Sequence, residues 1–356
     1  MKALAGLALV LGLTLFAALT LYEGAGDVAR AFASIGLGGA LLIVLARLAQ
    51  TGLSGLAWRA LLPRPRASWW MFAQLRLVRE SINTLLPVAQ VGGDLIGARL
   101  LTRVKQPAKT PGGLAAASVI TDLLAQTATQ VVFTIIGVGL LIHAGAHGDL
   151  SFSIALGLLI MAPGLAGFWF APRLLAMPWL DRLAGKIEAK TGWASFGGLP
   201  ALRAGLDSIL RHRSGLAIAL SLHMTIWFVG VLEIYIGLSL LGEDRPFAVA
   251  VTIESLGHAV KAAGFLIPGA WGVQEGGFIA LCAAFGIASP TAIALSLVKR
   301  IPDVVCGAPG LWLWRRLEGK GLKDLGLKDL GLKDFWPSRR AAPTPEPAAN
   351  GDGSGF

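Results

Sequence analysis

Cysteine is nearly absent: Cys282 and Cys306 both sit in apolar stretches. That excludes a disulfide framework and a cysteine-based metal site. No His-Glu-x-x-His run occurs among the five histidines, and no Gly-x-x-x-x-Gly-Lys-Ser/Thr loop is present. A zincin centre and a phosphate-cradling loop for ATP are therefore not expected, and no cofactor is implied. Charge is also scarce, at 15% of residues against 54% hydrophobic. Soluble domains carry nearer a quarter charged residues. With a mean hydropathy of +0.66, the chain reads as an all-α integral membrane protein.

The charge that exists is lopsided, 31 Lys and Arg against 21 Asp and Glu. Basicity on this scale can mark nucleic-acid binding. Here the bases cluster between hydrophobic runs, where membrane topology needs them, so no nucleic-acid partner is expected. A span needs about 20 apolar residues. Segments 3–22, 35–58, 114–142, 151–172, 215–241 and 290–314 qualify, while 67–97 and 248–287 are apolar but interrupted. The run after Lys2 is longer than a signal-peptide core of roughly 7–15 residues, so a retained first span is expected.

Basic residues flank the first interrupted segment on both sides: Arg59, Arg64, Arg66, Arg76 and Arg79 before, Arg99, Arg103, Lys105 and Lys109 after. Both flanks then belong in the cytoplasm, and 67–97 enters and returns. The second segment lies between connections poor in positive charge and dips in from outside. Two inverted halves follow, about 1–142 and 151–314, each with a re-entrant break. The alternative has the broken segments crossing as short paired helices. Region 173–213 is too charged to span and is read as an amphipathic cytoplasmic stretch. Both termini are expected in the cytoplasm. The tail 317–356 repeats Gly-Leu-Lys-Asp-Leu or Phe three times and ends in a Pro-, Ala- and Gly-rich stretch that reads as disordered.

The two breaks look like copies. Leu85-Leu86-Pro87-Val88-Ala89-Gln90-Val91-Gly92-Gly93-Asp94 matches Leu266-Ile267-Pro268-Gly269-Ala270-Trp271-Gly272-Val273-Gln274-Glu275-Gly276-Gly277 in order of Pro, Gln, glycines and carboxylate. Pro87, Gly92, Gly93, Pro268, Gly272, Gly276 and Gly277 are the expected hinges. Interrupted helices at matching places in two halves point to a transport site. Ionisable residues inside spans are functional candidates, because each is costly in lipid. Arg79, Glu80 and Asn83 lead into the first break on one helix face with Arg76, for which interfacial topology charge is the plainer reading. Ser118, Asp122, Gln126 and Gln130 form a polar stripe, either cavity lining or interhelical hydrogen bonding. Glu254, His258 and Lys261 approach the second break. Lys299, Arg300 and Asp303 share a turn; a Lys299–Asp303 pair would leave Arg300 as a free donor. Together with Gln90, Asp94, Gln274 and Glu275, these residues are expected around one water-filled cavity. No nucleophile–base pair or metal cluster is visible, so an enzyme is not expected.

The runs Glu80-Ser81-Ile82-Asn83-Thr84-Leu85-Leu86-Pro87, Gly92-Gly93-Asp94 with Arg99, and Pro268–Gly277 with Leu297-Val298-Lys299-Arg300 resemble the flippase-like membrane domain of the lysylphosphatidylglycerol synthase superfamily. The resemblance covers about 1–316 and is closest to the hopanoid-associated HpnL-type inner-membrane proteins. It implies movement of a hopanoid-like or anionic lipid across or out of a bacterial inner membrane, with other lipid-transport proteins as partners. The synthases also carry a soluble aminoacyl-transfer domain, for which the tail is too short, so lysyl transfer is not expected. An ion- or proton-coupled small-solute transporter is the alternative, with Asp122 and Glu254 as relays. A lipid-modifying membrane enzyme is a third reading.

Overall fold

The computed structural model describes residues 14–63, 67–86, 92–104, 106–145, 198–264, 267 and 270–318. Among them are helical residues 14–22 and eleven further helices: α1 Ala25–Ser34, α2 Gly36–Leu61, α3 Trp69–Leu85, α4 Gly92–Arg103, α5 Gly112–His143, α6 Gly198–Arg211, α7 Arg213–Leu240, α8 Phe247–Ala263, α9 Val273–Ala283, α10 Ser289–Val298 and α11 Ile301–Glu318. No strand occurs among the described residues. The expected span 151–172, most of the stretch 173–213, Pro87, Gln90, Pro268 and the tail after 318 lie outside them.

Helices α2, α5 and α7 have 26, 32 and 28 residues and are apolar enough to cross a membrane. At 1.5 Å per residue each exceeds a hydrocarbon core of about 30 Å. They match the expected spans 35–58, 114–142 and 215–241. Their exteriors carry exposed Leu37, Leu41, Leu45, Ile135 and Ile142, while Arg79, Asp122, His223, Glu233, Glu254 and Glu275 are buried inside. An apolar outside around a charged inside is the pattern that a lipid surround favours.

The expected single span 290–314 is instead two helices. Lys299 and Arg300 form a turn between α10 and α11. Pro302 supplies the cause: it has no N–H, and its ring would strike the carbonyl of Val298 in a continuous helix. The region 23–34, read as a plain connection, contains α1, which packs against α10.

α2 and α7 run antiparallel, with Gly39 against Leu240 at one end and Gly215 against Ala60 at the other. α5 runs parallel to α7, for Asp122 meets His223 and Thr129 meets Trp227. α3 starts after an Ser68 cap whose hydroxyl accepts from the Met71 N–H at 3.3 Å. α4 then returns along α3: Gly93 lies beside Asn83, Gly97 beside Arg79, and Arg103 beside Met71 and Gln74. α8 and α9 make the second hairpin, with Gly277 against Val260. Its mouth closes where Arg245 donates to the Gly286 carbonyl at 3.4 Å.

The first hairpin opens at the end of the bundle where α2 stops and α5 and α7 start. The second opens at the opposite end, where α7 stops and Tyr235 packs on Phe247 at 5.7 Å. Both broken segments therefore turn back, and they enter from opposite ends, as two inverted halves require. α6 places Leu199, Leu202, Leu206 and Ile209 against Leu61, Ala116 and Ala117, so this part of the amphipathic stretch closes the basic end.

Candidate functional site

A cavity of about 250 Å³ lies between α3 of the first hairpin and α8 of the second, with α2, α5 and α7 completing its wall. α2 contributes Arg47, Gln50 and Ser54; α3, Arg76 and Glu80; α5, Gln126 and Gln130; α7, His223 and Trp227; α8, Glu254, His258 and Lys261. Both signs of charge thus face one hollow.

Behind the α3–α5 wall lies a chain of ion pairs. Arg76 donates to Glu80 at 2.7 Å, Asp122 at 2.7 Å and Gln126 at 2.9 Å. Arg79 donates to the same Asp122 oxygen at 2.9 Å and to Asp94 at 2.6 and 3.0 Å. The other Asp122 oxygen meets His223 Nε2 at 3.0 Å. One carboxylate thus serves three partners, which is how a fully buried charge becomes tolerable. Asn83 completes the set: it donates to Asp94 at 3.1 Å and accepts the Gly93 N–H at 2.7 Å. Arg79 also stacks over Trp58 at 4.6 Å, and Trp58 donates to Ser118 at 2.9 Å. That contact gives Ser118 a packing role rather than a cavity role.

The α7–α8 wall has its own group. Lys299 Nζ lies 2.6 and 2.7 Å from the two Glu254 oxygens and 3.3 Å from Glu233. His258 Nε2 meets Glu254 at 3.1 Å, and Gln50 donates to Glu233 at 2.7 Å. Lys299 therefore pairs with Glu254 and Glu233, correcting the expected Lys299–Asp303 pair. The i, i+4 spacing favoured that local pair, but the turn before Pro302 aims Lys299 across to α8.

A third group stands apart from the cavity. Glu275 accepts from Arg300 Nε at 2.9 Å, from Ser296 at 3.0 Å and from the Gly272 N–H at 2.7 Å, and Arg300 Nη2 lies 2.8 Å away as an ion pair. Gln274 donates to Ser296 at 3.0 Å. Arg300 lies 3.7 Å over the Trp271 ring. Arg300 is thus clamped, not free.

The expectation of one cavity holding every candidate is corrected accordingly. Glu80, Gln126, Glu254, His258 and Lys261 line it. Arg79, Asn83, Asp94 and Asp122 sit behind its wall, Gln274, Glu275 and Arg300 form the separate group, and Asp303 faces an adjoining hollow of about 90 Å³. Helical spacing places side chains on a face but does not say how far each lies from the centre.

The hinges divide similarly. A Cβ on Gly93 would strike the Arg79 carbonyl, and one on Gly272, at φ +76°, would strike Leu15. A Cβ on Gly277 would meet Val260, whereas one on Gly276 would meet only Leu19 at 3.9 Å. Gly277, not Gly276, is the packed glycine of the second hairpin. Arg76 is 6% exposed and central, correcting its reading as interfacial charge. Sequence reasoning passed over Arg47, Gln50, His223 and Glu233. The signal was there: ionisable residues inside otherwise apolar spans. Among the described residues no cluster of His, Cys, Asp and Glu could hold a metal ion.

The family model for the lysylphosphatidylglycerol synthase TM region matches residues 3–310. No curated protein and no solved structure matches the chain. Together with its long apolar helices, the family match makes the chain an all-α multi-pass membrane protein.

Proposed function

We propose, since the chain belongs to the family of lysylphosphatidylglycerol synthase transmembrane regions, that it moves the polar head of an amphipathic lipid through the central cavity. The acyl or polycyclic part stays in the surrounding lipid. The observation that carries this reading is the charged cavity of about 250 Å³ between two hairpins that enter from opposite ends. A polar hollow at that depth lowers the barrier that a head group meets in hydrocarbon. The hairpins provide a route from each face, and rocking of one against the other would alternate access. The chain acts without chemical change to the lipid. A hopanoid-type lipid of a bacterial inner membrane is the favoured cargo, because the wording of the first break, Leu85 to Asp94, resembles the hopanoid-associated branch. The basic residues at the mouth of the first hairpin support a cytoplasmic position for that end and for both termini.

The test is a deletion strain whose inner- and outer-membrane lipids are analysed separately. The expected result is retention of one lipid class in the inner membrane with its chemical species unchanged. An unchanged distribution contradicts transport, and a missing species indicates a modifying enzyme.

A second reading is proton-coupled transport of a small solute. It draws on two histidine–carboxylate pairs facing one cavity, His223–Asp122 at 3.0 Å and His258–Glu254 at 3.1 Å. Proton-dependent uptake of a water-soluble tracer into reconstituted vesicles would favour it.

A further inference from the structure

Arg47, Arg76 and Lys261 are the arginine and lysine side chains of the cavity wall among the described residues. Two of them are already held. Arg76 donates to Glu80, Asp122 and Gln126. Arg47 lies 3.4 Å from Glu233 and 3.9 Å from Asp303. Lys261 has no hydrogen-bond or ion-pair partner among the described residues. It stands in the wall shared by the central cavity and the adjoining hollow. Asp303 attracts it from that hollow without contact. A second donor nearby is also open, since Arg47 Nε is buried and has no partner.

The carboxylates of the cavity wall are in the opposite condition. Glu80 accepts from Arg76 and from Thr51, the latter at 2.9 Å. Glu254 is held by Lys299 and His258. An incoming ammonium would find every wall carboxylate engaged. An incoming anion would find an ammonium with three donors and no acceptor of its own. The last turn of α8 favours a cation at this position. It provides no acceptor for the Lys261 N–H groups, because a side chain leaving the helix end points into the hollows.

We propose that Lys261 captures an anionic group, a phosphate or carboxylate, in the central cavity, with Arg47 Nε as a second donor. The proposal rests on the head-group reading above, not on a hopanoid cargo, and gives that head group its charge.

The test uses the purified full-length chain in detergent, titrated calorimetrically with dioleoyl phosphatidylglycerol, dioleoylglycerol (which has no anionic group) or inorganic phosphate. Wild type is expected to bind the phosphatidylglycerol about tenfold more tightly than the dioleoylglycerol, the gain of one charge-assisted hydrogen bond. Lys261→Gln should bind the two lipids equally, and Lys261→Arg should keep the preference. Lys261→Gln removes no ion pair, so its melting temperature should not fall; a matched melting curve separates loss of binding from loss of fold. Equal affinity of wild type for both lipids, with phosphate unbound, overturns the anion assignment and leaves the head-group cavity standing. An undiminished preference in Lys261→Gln does the same. Binding of neither lipid nor phosphate overturns both. Phosphate bound by wild type but not by Lys261→Gln, without preference between lipids, supports the anion site and argues against a lipid source.

Discussion

The two hairpins solve one problem in different ways. Each starts its return helix with a buried carboxylate, Asp94 on α4 and Glu275 on α9, and each carboxylate is clamped by an arginine lying over a tryptophan. In the first hairpin the arginine, Arg79, comes from the incoming helix and shares Asp122 with cavity-lining Arg76. In the second the arginine, Arg300, comes from the turn between α10 and α11, and the group closes on itself through Ser296 and Gly272. The first clamp thus reaches the cavity wall through Asp122, and the second holds Glu275 to the Gly272 hinge. Similar sequence at the two breaks has yielded one clamp that can sense the cavity and one that holds a hinge.

The largest expected effect is all-or-none and concerns the hairpins' opposite mouths. In a background with Cys282 and Cys306 replaced by serine, Arg103→Cys should be shielded from impermeant thiol reagents in whole cells, and Asp244→Cys should react. Labelling of both from one side would undo the opposed geometry. Next is Asp122→Leu, which leaves two buried guanidiniums and His223 without their shared acceptor. Removal of one partner from a buried pair costs about 3–5 kcal/mol. Melting of the purified variant should show a loss in that range, with a smaller one for Asp122→Asn, which keeps a hydrogen-bond acceptor.

The clamps themselves should separate by function. Arg79→Gln and Arg300→Gln should both lower membrane abundance, but lipid movement per folded molecule should drop only for Arg79→Gln. An equal drop in both would mean that the second clamp also reaches the cavity. The glycines give the smallest contrast. Gly93→Leu meets the Arg79 carbonyl and should cost about 1–3 kcal/mol or more through overpacking. Gly276→Leu meets only Leu19 at 3.9 Å and should be close to neutral in abundance and melting.

These contrasts also mark what could be read from residues alone. α2, α5 and α7 were legible because an uninterrupted apolar run of that length has few other uses. The two turns were legible because Pro and Gly cannot continue a helix in lipid without compensation. That Asp122 and Gln126 share a face was legible from their four-residue spacing, but not that Gln126 lines the cavity while Asp122 lies behind its wall. The partners did not follow, because they are set by packing between distant helices: Lys299 reaches Glu254, and His223 reaches Asp122. Arg47 and Glu233 were hidden by averaging, since one charge barely lowers the hydropathy of a long apolar window. The same averaging concealed the break at Lys299–Arg300, although Pro302 announced it. Gly276 and Gly277 were both expected hinges, and sequence alone does not say that only Gly277 faces the neighbouring Val260.

The central claim is that a lipid head group crosses through the cavity that the first clamp supports. The most direct measurement is leaflet exchange of a fluorescent phospholipid in vesicles containing the purified protein, read by quenching from outside. Wild type should make more than the outer-leaflet half of the probe available to the quencher, and Asp122→Leu, at matched protein content and shown to be folded, should return the signal to that of protein-free vesicles. Wild-type exchange no faster than protein-free vesicles, or full exchange in Asp122→Leu, would contradict the account.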